Sequence, residues 1–264
     1  MPAETGRGVY IMNIAIITGA SSGMGMEFAR QIDNQLCKTD EIWLLARRRE
    51  PMDELAKSMQ TRTRTVVIDI TDEKEVKQFA EVLAISVPKI TMLVNCAGTG
   101  RHGLFSEQDD EEISAMLRLN IMALTRLIRI CLPYMRKGSK IVQFASGAAF
   151  MPQAEFAVYA ASKAYVYSFS RALGKELKGN GISVTTVCPG PVDTPFLKYA
   201  YGDISRMDRL KQFATVSASR VVARAIADCK RGRAVSICGL PMNGLYLATQ
   251  SIQNILLWLK RPEV

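Results

Sequence analysis

The chain of 264 residues contains one histidine, His102, and that scarcity closes off much chemistry. A histidine relay needs a partner motif and a metal centre needs several ligands, and neither pattern is present. The six cysteines, Cys37, Cys96, Cys131, Cys188, Cys229 and Cys238, form no C-x-x-C pair, and several lie inside apolar runs. They read as free thiols in a reducing compartment, not as disulfides or a zinc site. No apolar stretch is long enough for a transmembrane helix, and Met1 to Ile11 holds no signal-peptide run, so a soluble cytoplasmic protein is expected. Repeats, low-complexity tracts and proline- or glycine-rich linkers are also missing. Residues 1–11 read as a loose extension ahead of one domain spanning 12–264.

What is present is an ordinary globular composition, 48% hydrophobic and 22% charged, with an excess of basic residues that gives a net charge of +9. Apart from Arg47-Arg48-Arg49 the lysines and arginines are scattered, and no aromatic stripe accompanies them. That argues against nucleic acid as a partner and suits a phosphorylated cofactor equally well.

Asn13 to Thr18 is a short apolar run that reads as a buried parallel strand. The turn Gly19-Ala20-Ser21-Ser22-Gly23-Met24-Gly25 follows, then a helical stretch from Met26 toward Asn34. Strand, glycine turn and helix form the setting of a dinucleotide site, in which glycines let the backbone approach a pyrophosphate and the helix N-terminus faces the anion. The cofactor candidates here are Gly19, Ser21, Ser22, Gly23, Met24 and Gly25. The second strand, Glu41 to Ala46, ends without the acidic residue that would grip a ribose diol. Arg47 and Arg48 offer guanidinium donors for a 2′-phosphate instead, so NADP(H) is expected over NAD(H). Arg64 to Ile68 forms the third strand, and Asp69 after it reads either as an adenine neighbour or as a capping residue. Thr91 to Val94 forms the fourth, closed by Asn95-Cys96-Ala97-Gly98, whose small residues leave room for a ligand; Asn95, Ala97 and Gly98 join the cofactor set. His102 falls in the following loop, at the rim of the pocket.

Asp109 to Met135 reads as one long helix or two abutting ones. Asn120 interrupts its apolar face and must find hydrogen-bond partners, in a structural network or in the site. Lys140 to Ala145 is the fifth strand, with Ser146 at its end. The next helix, Tyr159 to Lys178, carries Tyr159 and Lys163 one turn apart on one face. An ammonium beside a phenol favours its ionisation, which suits proton exchange with a carbonyl or alcohol. Ile182 to Val187 is the sixth strand, then come Pro189, Gly190, Val192 and Thr194, the last able to meet a cofactor amide. Ala234 to Cys238 is a last short strand. Seven strands alternate with helices, which implies an α/β doubly wound Rossmann sheet of seven parallel strands with helices on both faces in a single domain.

These motifs occur in the order and spacing of a known family. From Met12 to about Gly239 the chain resembles the short-chain dehydrogenase/reductase family, through Thr18 to Gly25, Asn95-Cys96-Ala97-Gly98, Asn120, Ser146, Tyr159-x-x-x-Lys163 and Pro189-Gly190. The resemblance implies hydride transfer between a nicotinamide and a carbonyl or alcohol. It implies catalytic roles for four residues. Tyr159 is the general acid/base and Ser146 polarises the substrate oxygen. Lys163 lowers the Tyr159 pKa and holds the nicotinamide ribose, and Asn120 keeps a water chain that reloads the proton. A homodimer or homotetramer is expected by resemblance only.

The resemblance places the substrate end in the segment after the sixth strand, here Phe196 to Tyr201, Met207, Leu210 and Phe213, to which the loop before Tyr159 adds Phe150, Met151 and Phe156. As a set they suggest an apolar substrate with one carbonyl. The tail from Leu245 to Leu259 has one apolar face that suits packing on its own domain, then a partner subunit, then peripheral contact with a membrane surface. The tail differs from those of the family's 3-oxoacyl-carrier-protein reductases, which points to hydroxysteroids or related lipids. A 3-oxoacyl thioester is the alternative substrate, and a non-catalytic NADPH-binding regulator is the alternative class.

Overall fold

Four apolar residues in succession, three of them isoleucine, make β1 (Asn13–Thr18) a strand buried along almost its whole length. The computed structural model, which describes residues 11–33, 35, 39–202, 207, 214–239 and 242–249, surrounds it with parallel neighbours. These are β2 (Glu41–Ala46), β3 (Thr63–Val67), β4 (Lys89–Asn95), β5 (Met135–Phe144), β6 (Ser183–Val187) and β9 (Val235–Ser236). The order across the sheet is β3-β2-β1-β4-β5-β6-β9, every pair parallel, in one doubly wound domain as expected.

Two apolar layers cover the sheet. Helices α1 (Gly23–Ile32) and α2 (Arg49–Ser58) lie on one face beside α8 (Ala218–Lys230). The other face is covered by α3 (Glu73–Ser86), α5 (Leu124–Cys131) and α6 (Ala157–Glu176). Side-chain caps set several helix starts: Asp72 accepts from Glu75 N–H ahead of α3, and Ser217 from Arg220 N–H ahead of α8. The buried Asp228 carboxylate ties α8 to the last strand, accepting from Arg224 Nε at 2.7 Å, Arg233 Nη1 at 3.1 Å and Ser236 Oγ at 2.9 Å.

The strand order reverses between β1 and β4, so their carboxyl ends open a crevice, the place where sheets of this kind bind ligands. Thr18 welds its floor. Its Oγ1 accepts from Cys96 N–H at 3.0 Å and from Ala97 N–H at 3.1 Å. The glycine turn after β1 is thereby held against the small-residue turn after β4.

The segment expected as one or two helices is continuous but not uniform. After α4 (Asp110–Leu117) comes a wide π-helical turn at Arg118–Ala123, then α5. β5 begins earlier than the apolar pattern suggests. Met135 pairs with Ile90, after which the register jumps to Lys140 opposite Met92, and the bulged residues between include Gly138 at φ +92°. A separate parallel pair, β7 (Val192–Asp193) with β8 (Val216–Ser217), was not anticipated; it brackets α7 (Pro195–Tyr201). Among the described residues no helix is long and apolar enough to cross a membrane.

Candidate active site

The crevice is a single cavity of about 1080 Å³, larger than the roughly 300–1,000 Å³ typical of one small-molecule site, so it has room for a dinucleotide with a second ligand beside it. At one end is the glycine turn. Gly19 adopts φ +68°, and a Cβ there would stand 3.0 Å from Ala97 backbone atoms. A Cβ at Gly25 would stand 2.4 Å from Gly19 O, so only glycine lets α1 start this close to the turn. Ser22, the N-cap of α1, makes no side-chain cap, which leaves the first N–H groups of the helix directed toward the cavity lined by Ser21 to Gly25.

Farther along the rim, Arg48 Nη2 donates to Ser21 O at 3.3 Å and Ser21 Oγ at 3.2 Å, and Arg47 Nη1 lies 3.7 Å from Asp69 Oδ2. Arg49 opens α2 and does not line the cavity. Asp69 also accepts from Thr71 N–H and Oγ1, while Asp72 caps the next helix, so Asp69 belongs to the cavity wall. Burial works against its charge, but Thr71 and Arg47 outweigh it and hold the carboxyl below its ordinary value.

At the other end, α6 presents Tyr159 and Lys163 on one face, with Ser146 opposite at the end of β5. Ser146 Oγ accepts from Ala148 N–H at 3.1 Å, capping a short turn and leaving its own proton to donate. Lys163 Nζ donates to Phe144 O at 2.9 Å and sits 5.7 Å from the Tyr159 ring centre. Asn120, wholly buried in the π-helical turn, satisfies both sides of its amide. Its Oδ1 accepts from Thr99 N–H at 2.9 Å, and its Nδ2 donates to Thr99 O at 2.8 Å and Ser162 Oγ at 3.0 Å. It thus pins the turn after β4 to α6 just below Lys163; a Cβ at Gly98 would lie 3.2 Å from both Asn120 Oδ1 and Lys163 Nζ.

The electrostatics differ from expectation in one respect. Lys163 does not depress the phenol here. Burial pushes the Tyr159 pKa up to about 12; the Ser146 hydroxyl opposes this and Tyr201 adds to it. The reason is the surroundings: Tyr159 packs among Phe156 at 4.4 Å and Phe196 at 5.6 Å between ring centres, while the ammonium is turned to Phe144 O. Burial pulls Lys163 down to about 8, against the nearby Cys96 and Cys188. At neutral pH the pair is a protonated phenol beside an ammonium, two proton donors.

The glycine cradle and the N-terminus of α1 fit a dinucleotide cofactor. Comparison with known proteins agrees. The family model described as short chain dehydrogenase matches residues 13–204. The chain belongs to the short-chain dehydrogenase family. It is 31% identical to an uncharacterized oxidoreductase of Staphylococcus epidermidis over 69% of this chain and 79% of that one. With sulfoacetaldehyde reductase 2 of Chromohalobacter salexigens it shares 34% identity over 81% of this chain and 86% of that one. A short-chain dehydrogenase from Sphingobium yanoikuyae, solved in complex with NADPH, superposes with a TM-score of 0.81 at 25% identity, covering 96% and 98% of the two chains. This short-chain dehydrogenase is therefore an NAD(P)-dependent oxidoreductase.

Most sequence candidates converge on the cavity of this dehydrogenase: Gly19, Ser21 to Gly25, Arg47, Arg48, Asp69, Ala97, Gly98, Pro189, Gly190, Val192 and Thr194 line it with Ser146, Tyr159 and Lys163. Thr194 reaches back over the glycine turn, 3.5 Å from where a Gly23 Cβ would stand. Asn95 does not line it; its amide is buried in the sheet, in register with Gln143 of β5. At the substrate end Phe196, Leu197, Tyr199, Tyr201, Met151 and Phe156 line the cavity, but Phe150 turns away to pack on Tyr167 and Tyr246. His102 stacks on Tyr201 at 4.6 Å behind the wall. Leu210, Phe213 and the tail beyond residue 249 lie outside the described residues. The sequence reading missed Met242 and Leu245, which also line the cavity, and Gln153 in the loop before α6.

Proposed function

We propose that this dehydrogenase uses NADP(H) to interconvert an apolar ketone and its secondary alcohol. The observation that carries the reading is the convergence of Ser146, Tyr159 and Lys163 at an aromatic-lined end of the cavity whose other end holds the glycine cradle and Arg48. NADP(H), when bound, supplies or accepts the hydride. The glycine turn and the α1 N-terminus would hold the pyrophosphate, and Arg48 with Arg47 would hold a 2′-phosphate. Ser146 donates a hydrogen bond from its hydroxyl to the carbonyl oxygen and orients it. Tyr159, protonated up to about pH 12, gives its phenolic proton to that oxygen as the bond order falls. Lys163, its ammonium held by Phe144 O one helical turn from Tyr159, would hold the nicotinamide ribose. Asn120 fixes the turn and helix that carry these groups. The aromatic rings Phe156, Phe196 and Tyr201 exclude water and favour an apolar substituent on the carbonyl.

The test is oxidation of NADPH, with NADH in parallel, across ketosteroids, 3-oxoacyl thioesters and aromatic ketones. Turnover of one apolar class with NADPH preferred is the expected result. Tight NADPH binding without turnover of any ketone would replace this reading with that of a regulator.

A further inference from the structure

The helical run 242–249 returns to the reaction end of the cavity, and Met242 is its point of entry. Two glycines make the hollow that receives it. A Cβ added at Gly147 would stand 2.1 Å from Met242 Cε, and one added at Gly190 would stand 3.0 Å from Met242 Cγ and 3.1 Å from Sδ. Any larger residue at either position would push the thioether out. The two glycine turns are tied to each other, since Gly147 N–H donates to Pro189 O at 2.7 Å, and Met242 sits across that tie. Gly147 directly follows Ser146, the hydroxyl that faces the substrate oxygen.

The run is held in place from behind. Tyr246 packs 5.2 Å from the Phe150 ring, and Phe150 stands edge-on to Tyr167 of α6 at 5.5 Å. Met242, Leu245 and Tyr246 all rest on the main apolar cluster. Asn243 Nδ2 donates to Gly239 O at 2.7 Å and fixes the start of the run. The side chain that reaches the cavity is thus anchored at its backbone, and its thioether, which turns about three bonds, fits the irregular hollow between the two glycines.

We propose that Met242 is the specificity-determining residue of this site: its thioether closes the wall beside Ser146 and limits the size of the second substituent on the carbonyl carbon. The inference rests on the hydride-transfer reading above and deepens it. One methylene in an apolar pocket discriminates by about 10- to 200-fold, so trimming the side chain to a methyl group should relax the limit by about tenfold or more. A slim substituent gains nothing from the added space, whereas a bulky one does.

Acetophenone and benzophenone, which differ in that second substituent, are the probes. For wild type, Met242→Ala and Met242→Leu, kcat/KM is measured with NADPH, and Kd is measured by calorimetry on protein loaded with NADP+, where no reduction occurs. Met242→Ala should raise the benzophenone-to-acetophenone preference about tenfold or more in both measurements, while Met242→Leu, of similar volume, stays within about threefold of wild type. An unchanged preference in Met242→Ala overturns the inference. If wild type binds the ketones without reducing them, the hydride-transfer reading fails, and the Kd preference alone still decides the role of Met242. If no form binds either ketone, the inference is overturned along with its premise.

Discussion

Burying the Lys163 ammonium has a consequence for stability that pH exposes. Its folded pKa of about 8 lies below the ordinary 10.5, so between those values the unfolded chain holds more protons than the folded one. The sign follows: the penalty is fully present below about pH 8 and is relieved as pH rises toward 10.5. The displacement of about 2.5 pH units at 1.36 kcal/mol per unit amounts to about 3 kcal/mol, of which about 2 kcal/mol is recovered by pH 9.5. Lys163 is only 6% exposed, so solvent screens little of this. The upward-shifted Tyr159, Cys131 and Cys188 pull the other way in alkali, because the unfolded chain ionises them first. Wild type alone therefore does not isolate the effect. The difference from Lys163→Met does, since the variant retains those groups and lacks the ammonium. Urea unfolding of both proteins at pH 7, 8, 9 and 9.5 should show wild type gaining about 2 kcal/mol relative to the variant over the series. A difference that stays flat with pH would mean that the ammonium is hydrated and not buried, and would refute the reasoning.

Three further outcomes follow from the same geometry. Gly25→Ala places a methyl group 2.4 Å from Gly19 O, so NADPH affinity measured by fluorescence should fall by at least tenfold, while far-UV dichroism stays that of the wild type. Arg48→Ala removes the guanidinium that reaches Ser21, and the ratio of kcat/KM for NADPH over NADH should drop about tenfold or more, with NADH values nearly unchanged. Asn120→Leu leaves Thr99 N–H and O without partners inside the protein, which should lower stability by about 1–3 kcal/mol and turnover with it; a variant as stable as wild type would contradict the clamp.

How much of this was legible in the sequence depended on how local each feature is. β1 and β2 were read to the residue, because short apolar runs end at Gly19 and at Arg47. The glycine turn was legible because strand, glycines and helix are contiguous. The start of β5 was not, since a bulge breaks the alternation that marks a strand. Asn120 announced itself as a polar residue on an apolar face, but the π-helical turn around it carries no signal of its own. The Tyr159 pKa was misjudged because spacing places the ammonium one turn away without saying where it points; Phe144 O takes it, and Phe156 from the loop before α6 and Phe196 from α7 help bury the phenol. Met242 was out of reach because its place depends on meeting Gly147 and Gly190, residues remote in the chain.

The central claim is that Tyr159 passes the proton while the rest of the cavity holds the cofactor. Tyr159→Phe removes one hydroxyl and leaves the glycine cradle, Arg48 and Lys163 in place. Measured side by side with wild type on the best ketone, the variant should lose about 10²- to 10⁴-fold in kcat while its Kd for NADPH changes by less than about twofold. Near-full turnover in that variant would contradict the account.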